Sequence, residues 1–357
     1  MAVINEDDLF FGADPEKTEK KIFEEAHIGN MSLKNRLIRS ATWEALAGED
    51  GSLGNELIGI YRDLARGGAG AVITGFTAVS ATDDVPAGSM RLDSDSLIPQ
   101  YRKLADEVHR YGCRIIAQLA AGYFVKDGRK VSIDDMTEDD VCRIVKDFAD
   151  AARRAAEAGF DGVEIHAAHG YFLSRFFSPY HNHRKDRFGG AADRRARILT
   201  DIIDAVKEAV PGLTVIAKIN FFDGVEGGVT LSDALMACKQ MERHGLDGLE
   251  VSAANTSKTG FEVPSEEAYF KDYGLALKSI SEMPVILVGG NRTIESMETL
   301  LDDENADFIS ISRPLIREPE LPNIWREDRD YTPKCISCNG CFSTPGHRCR
   351  FNLEEEK

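Results

Sequence analysis

The residues with the clearest capacity for chemistry lie near the middle of the chain, where His166, His169 and Tyr171 occur within one short stretch. Residues 162–166 form an apolar run typical of a buried parallel strand, and they follow a helical pattern that ends at Gly159. We therefore expect two imidazoles and a phenol at the carboxyl end of one strand, where ligands and catalytic groups collect in α/β barrels and open sheets. A His-x-x-His pair also occurs among ordinary hydrogen-bonded loop residues, so the spacing alone leaves both interpretations open.

A longer pattern surrounds these three residues. Its positions are His166, His169, Gly170, Tyr171, Ser178, Pro179, Asn182, Arg184, Asp186, Phe188, Gly189 and Gly190. In this order they resemble H-x-x-H-G-Y followed by S-P-x-x-N-x-R-x-D-x-[YF]-G-G, the signature of the Old Yellow Enzyme family of FMN-dependent oxidoreductases. The resemblance extends over about residues 22–319. It indicates a single-domain relative of the 2-enoate and 2,4-dienoyl-CoA reductases.

The rest of the chain alternates between short apolar runs and helical patterns. The runs are residues 37–42, 71–76, 114–119, 162–166, 214–219, 248–252, 284–288 and 308–311, and the helical patterns are 55–66, 99–111, 141–159, 194–210, 232–244, 269–280 and 294–301. Eight strands with helices between them predict an α/β fold of the (β/α)8 TIM-barrel type rather than a doubly wound sheet. Two Thr-x-x-Asp pairs, Thr137 with Asp140 and Thr230 with Asp233, have the spacing of helix caps.

No linker interrupts this alternation, so we predict one domain in three parts. These are an N-terminal extension over residues 1–21, an FMN-binding barrel over 22–330, and a cysteine-rich tail over 331–357. Residues 22–36 resemble the hairpin that closes the bottom of the barrel in this family.

Bulk properties exclude some classes of partner. The formal net charge of −17 disfavours nucleic acid or an anionic membrane as the main partner, since both require a basic surface. The first residues lack the features of a secretory signal, and no apolar run approaches the roughly 18 residues of a membrane span. We expect a cytoplasmic protein, with Cys113, Cys142 and Cys238 as small buried apolar residues.

The ends of the last two strands suggest a phosphate site. Gly289 and Gly290 follow the seventh strand, and Ser312 and Arg313 follow the eighth. Glycines let backbone amides approach an anion, and an arginine donates a forked pair of hydrogen bonds to it. The same residues could form a tight turn and a surface ion pair. The resemblance favours the phosphate of FMN.

The resemblance also assigns positions around the flavin ring. They are Ser40, Ala41, Thr42, Gly75, Phe76 and Gln118, together with Lys218 where relatives often carry Arg. A cation beside a reduced, anionic flavin would raise its potential, and that flavin would be the anionic partner that a buried lysine needs. Trp43 stands where many relatives have Thr or Cys, and the segment after Gln118 lacks the His and Arg of several relatives.

The reaction that the resemblance implies is an ene-reduction. Hydride would pass from NAD(P)H through flavin N5 to the β-carbon of an α,β-unsaturated carbonyl compound. His166 and His169 would hydrogen-bond the carbonyl oxygen, and Tyr171 would give a proton to the α-carbon. The partners would be small molecules, and relatives of this kind often form homo-oligomers.

Four cysteines crowd into the tail: Cys335, Cys338, Cys341 and Cys349. In a reducing compartment such a cluster indicates metal more than disulfides. It resembles the [4Fe–4S] segment of the multidomain relatives, with tighter spacing. An iron–sulfur cluster, a Zn(Cys)4 site and free thiols all remain open.

Two other functions are consistent with parts of the sequence. Another FMN barrel, such as a dihydroorotate-type dehydrogenase or a tRNA-dihydrouridine synthase, would not account for the His-x-x-His-Gly-Tyr cluster. A flavin and iron–sulfur electron-transfer or redox-sensing protein would make the cysteine tail the working part, without a dedicated alkene substrate.

Overall fold

A computed structural model describes residues 20–253 and 267–355 as a closed barrel of eight parallel strands. The strands are β1 (Leu37–Arg39), β2 (Ala71–Ile73), β3 (Arg114–Ala120), β4 (Gly162–Ala167), β5 (Thr214–Asn220), β6 (Gly248–Ser252), β7 (Val285–Leu287) and β8 (Phe308–Ile311). Each strand pairs with its neighbours in sequence, and β8 pairs with β1, so no edge remains open. The predicted (β/α)8 fold is confirmed. The predicted extension falls almost entirely outside the described residues.

Helices follow the strands around the outside of the barrel. They are α1 (Asn55–Arg66), α2 (Ile98–His109), α3 (Glu138–Glu157), α4 (Phe172–Phe177), α5 (Ala192–Arg195), α6 (Arg197–Ala209), α7 (Leu231–Arg243), α8 (Lys271–Lys278), α9 (Ile294–Asp302), α10 (Arg313–Arg317), α11 (Leu321–Glu327) and α12 (Arg350–Glu355). Both predicted caps are present as complete capping boxes, at Thr137 on α3 and Thr230 on α7.

Three local predictions from the sequence were wrong in detail. The helix predicted over residues 194–210 is two helices that meet at Ala196, next to the buried Arg195, whose side chain donates to the carbonyl of Phe177. The strands β1 and β2 end three residues earlier than predicted. Cys142 is exposed, whereas Cys113 and Cys238 are buried as expected.

The interior of the barrel is built in layers, because side chains alternate along a strand and every second residue points inward. The lowest layer, here called the apolar floor, consists of Ile38, Ile73, Ile116, Ile216, Ile286 and Phe308. The antiparallel hairpin of Ala26–Ile28 and Met31–Leu33 packs beneath this floor and closes the barrel. The sequence therefore seals one end of the barrel with aliphatic side chains.

Two residues further along several of the same strands, the inward side chains become polar. This second layer, here called the polar layer, consists of Ser40, Gln118, Glu164, Lys218, Glu250 and Ser310. None of its members is more than 5% exposed. Burial of so many polar groups requires that they satisfy one another or a ligand.

The cysteine-rich tail packs on the same end of the barrel as the strand carboxyl ends. Arg292 donates to the carbonyl of Pro333 at 3.1 Å, and Arg313 donates to Asn339 Oδ1 at 2.8 Å. The imidazole Nδ1 of His347 lies 2.5 Å from the carbonyl oxygen of Trp43. The tail is thus attached through residues that follow β1, β7 and β8. Across the described residues, no helix combines the length and the apolar character that a membrane span requires.

Candidate active site

The end of β4 places three rings side by side. His166 lies within the strand, and His169 and Gly170 both have positive φ values, 62° and 77°, which reverse the chain before α4. Tyr171 precedes the first residue of that helix. The His166 ring centroid lies 5.3 Å from those of both His169 and Tyr171, and the Tyr171 ring lies 4.9 Å from Phe76. The two imidazoles and the phenol predicted to meet do meet.

Burial sets the protonation of this ring cluster. Desolvation lowers the pKa of His169 to about 3, and it lowers the pKa of His166 well below its ordinary value, so both rings are neutral near pH 7. Burial raises the pKa of Tyr171, which keeps its phenol protonated. His169 Nε2 lies 2.7 Å from Ser252 Oγ, whereas His166 Nδ1 has no hydrogen-bond partner among the described residues.

A cavity opens beside the ring cluster at the carboxyl ends of the strands. Of the predicted site residues, its lining includes Ser40, Ala41, Thr42, His169, Lys218, Gly289, Gly290, Ser312 and Arg313. Residues from the ends of β1, β4, β5, β7 and β8 therefore meet at one place, as the barrel topology predicts.

The other predicted residues are not part of the cavity lining; they are Gly75, Phe76, Gln118, His166 and Tyr171. The side-chain amide of Gln118 donates a hydrogen bond to Glu164 Oε2 at 2.6 Å. The Gly75 amide donates to the hydroxyl of Tyr61 at 2.8 Å. A Cβ at Gly75 would lie 2.5 Å from the carbonyl oxygen of Thr42, so the loops after β1 and β2 approach closely only because this residue is glycine.

One end of the cavity has the features of an anion site. Gly289 and Gly290 have φ values of 117° and 79°, and a Cβ at Gly289 would lie 2.6 Å from the ring of Tyr269. Arg313 is the first residue of α10, and Ser312 Oγ lies 2.9 Å from Thr42 Oγ1. Backbone that only glycine can adopt, next to a guanidinium and hydroxyls, suits a phosphate.

Several buried polar atoms of the cavity wall lack hydrogen bonds within the described part of the chain. They are Asn291 Oδ1, Trp43 Nε1 and Arg292 Nη1. Unsatisfied buried donors and acceptors are costly, and they indicate that a ligand completes the site. The donors, the cations and the glycine backbone together fit FMN.

Beneath the cavity, Lys218 has an anionic partner within the protein. Its Nζ lies 3.0 Å from Glu250 Oε2 and donates to Ser40 Oγ at 2.9 Å. Glu250 Oε1 accepts from Ser40 at 2.8 Å and from Ser310 at 2.5 Å. The anionic partner that a buried lysine needs is thus Glu250 within the protein, and the placement of Lys218 beside a reduced flavin stays a prediction.

The four tail cysteines line one small cavity, together with Arg313 and Arg317. Burial and the neighbouring Cys335 raise the pKa of the Cys341 thiol. Within residues 20–253 and 267–355, no three His, Cys, Asp or Glu side chains are arranged to hold a metal ion. The iron–sulfur and zinc interpretations of the tail therefore stay predictions.

Several residues of this region were not predicted from the sequence. Glu164 and Glu250 each interrupt an apolar strand, and a charge in the middle of a buried strand is a signal that could have identified them. Asn291 directly follows the two predicted glycines. Nothing in the sequence around Phe342 and His347 indicates that these tail residues line the main cavity.

Comparison with known proteins gives consistent results. The sequence signature of the NADH:flavin oxidoreductase / NADH oxidase family matches residues 21–134 and 124–331. A NADH oxidase of Thermoanaerobacter brockii is 35% identical over 350 residues, which cover 90% of this chain and 53% of that protein. The 4,4'-dithiodibutanoate disulfide reductase of Rhodococcus erythropolis is 30% identical over 382 residues, with 92% and 94% covered.

A solved structure shows the same fold. The Old Yellow Enzyme homologue of Zymomonas mobilis is similar with a TM-score of 0.73 and 24% identity, over 88% of this chain and 95% of that one. The present chain spans about half the length of the NADH oxidase, with 53% of that protein matched, and nearly the whole length of the disulfide reductase, with 94% matched.

Proposed function

The chain belongs to the NADH:flavin oxidoreductase / NADH oxidase family, and from that premise we propose that it is an ene-reductase. It would use FMN and NAD(P)H to reduce the C=C bond of α,β-unsaturated carbonyl compounds. The observation that supports this most is the neutral, buried ring cluster of His166, His169 and Tyr171 directly beside a cavity that suits a flavin.

Residues from six strand ends would bind FMN. Gly289, Gly290, Ser312 and Arg313 would hold its phosphate, and Ser40, Ala41, Thr42, Gly75, Phe76, Gln118 and Lys218 would surround its ring. When bound, FMN supplies hydride transfer between the nicotinamide and the alkene.

The ring cluster would provide the remaining chemistry. A neutral imidazole carries one N–H, so His166 and His169 can each donate a hydrogen bond to the substrate's carbonyl oxygen and stabilise the negative charge that develops there. The protonated phenol of Tyr171 can then give its proton to the α-carbon. Ser252, which bonds Nε2 of His169, would fix the orientation of that ring, and Asn220 accepts from the His169 backbone N–H.

The substitution Tyr171→Phe tests the assignment of the proton donor. We expect alkene reduction to slow by about 10²–10⁴-fold, the usual contribution of a general acid, while flavin reduction by NAD(P)H stays nearly unchanged. Anaerobic stopped-flow measurement of each half-reaction, with cyclohexenone as oxidant, separates the two steps.

Tyr180→Phe is the matched control, because Tyr180 is an exposed tyrosine of the same segment. Equal losses in both half-reactions of the Tyr171 variant would contradict the assignment.

A second function is favoured by one observation about the tail. Arg313, Ser337 and Cys341 line both the main cavity and the cavity of the four cysteines, so the two sites share a wall. An electron-transfer or redox-sensing protein would need its flavin and its iron–sulfur cluster in adjacent sites such as these. Iron, zinc and labile sulfide analysis after anaerobic purification tests for the metal. Fast one-electron transfer together with indifference to enones would favour this function over ene-reduction.

A further inference from the structure

The polar layer beneath the cavity contains a buried ion pair and a second carboxyl group. Lys218 and Glu250 form the pair, with side chains 4% and 0% exposed, and Glu164 is also fully buried. An ion pair in this setting is retained at a high desolvation cost, and replacing it with apolar residues is often neutral or stabilising. Its presence directly under the flavin cavity therefore calls for a reason other than stability.

Burial and the neighbouring charges indicate which carboxyl group of this layer carries a proton. Glu164 Oε1 and Glu250 Oε2 are both buried without a hydrogen-bond partner among the described residues. Two neighbouring buried carboxylates repel each other, which favours a proton on one of them. Burial and the Glu250 charge raise the pKa of Glu164 well above its usual range.

Glu250 is held in the charged form instead. Burial alone would raise its pKa, but Lys218 and the hydrogen bonds from Ser310 and Ser40 outweigh burial and leave the pKa lowered. The contacts of the ion pair agree with this assignment. Glu250 Oε2 lies 3.0 Å from Lys218 Nζ, within ion-pair distance but without hydrogen-bond geometry. This oxygen can therefore still accept a hydrogen bond. The layer as a whole is therefore neutral, with Lys218 positive, Glu250 negative and Glu164 protonated.

We propose that Glu250 is a positioning residue that sets the reduction potential of the bound flavin by neutralising Lys218, and that the protonated Glu164 adds no charge to this pair. This inference rests on the proposed binding of FMN above Lys218. Hydride from NAD(P)H brings two electrons and one proton to the flavin, which becomes an anion. An unpaired cation beside it would favour this reduced form strongly in a dry site. A cation already paired with a carboxylate favours it less, so the wild-type potential is held low.

The substitution Glu250→Gln removes the negative charge and keeps the shape. We expect the midpoint potential of bound FMN to rise by an amount equivalent to at least a tenfold change in the ratio of reduced to oxidised flavin, which is about 30 mV for a two-electron couple. Anaerobic spectroelectrochemical titration of the flavin-loaded protein measures this directly. A Glu250 variant with full flavin occupancy and an unchanged or lower potential would overturn the inference.

Two further variants separate charge from structural damage. Glu164→Gln replaces a neutral acid with a neutral amide. We expect its ratio of reduced to oxidised flavin at a given potential to stay within threefold of the wild-type ratio. The double variant Lys218→Met with Glu250→Gln restores neutrality, and its potential should return toward the wild-type value. A rise in Glu164→Gln as large as that in Glu250→Gln would show that Glu164 is ionised and would contradict the assigned charges.

The substitution Glu250→Asp provides a second test if Glu250→Gln does not fold. Glu250→Asp keeps the charge but withdraws the carboxylate from Lys218 by one methylene, so a smaller rise of the same sign is expected. Flavin absorbance and enone reoxidation of the wild-type protein are measured in the same preparation. A wild type that binds no FMN would refute the proposed cofactor. One that binds FMN but ignores enones would refute only the proposed substrate class and leave the potentials to decide this inference.

Discussion

The apolar floor and the polar layer are built on the same strands, two residues apart, and differ in almost every physical respect. Ile216 of the floor and Lys218 of the polar layer are both inward residues of β5, and both are buried. The floor excludes water by packing against the hairpin beneath it. The polar layer excludes water as well, but its charges are satisfied by one another. One layer contributes stability, whereas the other retains charge at a cost in stability and places it under the cavity.

The largest effect should come from removing one charge of the polar layer. We expect Lys218→Met to lower the free energy of unfolding by about 3–5 kcal/mol, because it leaves Glu250 buried without its counterion. The double variant Lys218→Met with Glu250→Gln should recover much of that loss, since it removes both charges. Urea unfolding of the flavin-free proteins at pH 7 measures both quantities. A double variant that is less stable than the single one would show that the layer is held by more than mutual neutralisation.

His169 lies above the polar layer, and its burial makes the free energy of unfolding depend on pH. The pKa of His169 in the folded protein is about 3, against an ordinary value of 6.5, so below pH 6.5 the unfolded chain binds a proton that the folded one does not. The contribution of this ring to the free energy of unfolding therefore falls as pH drops from about 6.5 toward 3, by about 1.4 kcal/mol per pH unit.

The substitution His169→Asn isolates this term. We expect the unfolding free energy of the variant, measured by urea titration at pH 6, 5 and 4, to decline with a slope shallower by up to about 1.4 kcal/mol per unit than that of the wild type. The matched surface control is His27→Asn, at an exposed position of the closing hairpin. Parallel pH profiles for His169→Asn and the wild type would mean that the folded ring takes up its proton normally.

Much of this architecture could be predicted because it depends on local patterns. The eight apolar runs, the glycines between helices and strands and the two capping boxes each specify their own element, and all eight strands were placed on the correct segments. The cluster of His166, His169 and Tyr171 follows from the same logic, since one strand end and one turn bring its members together.

The partners of the polar layer depend on contacts that sequence patterns do not encode. Glu250 reaches Lys218 from the next strand and Ser40 from across the barrel, 210 residues away in sequence. Such pairings depend on the stagger of the closed barrel, which fixes which inward residues share a level. The docking of His347 against Trp43, 304 residues apart, depends likewise on tertiary packing alone. A sequence can indicate that a buried strand carries a charge without revealing which residue neutralises it.

The smallest expected effect comes from a substitution in the apolar floor. Ile216→Val removes one methylene from the floor, directly below Lys218 on the same strand, and should lower the free energy of unfolding by about 0.5–1.5 kcal/mol. Because the floor carries no charge, the ratio of reduced to oxidised FMN at a given potential should stay within threefold of the wild-type ratio. Urea unfolding and spectroelectrochemical titration of the same preparation give both numbers. A potential shifted as far as in Glu250→Gln would show that packing beneath the ion pair, rather than its charge, controls the flavin, and the division between the two layers would then fail.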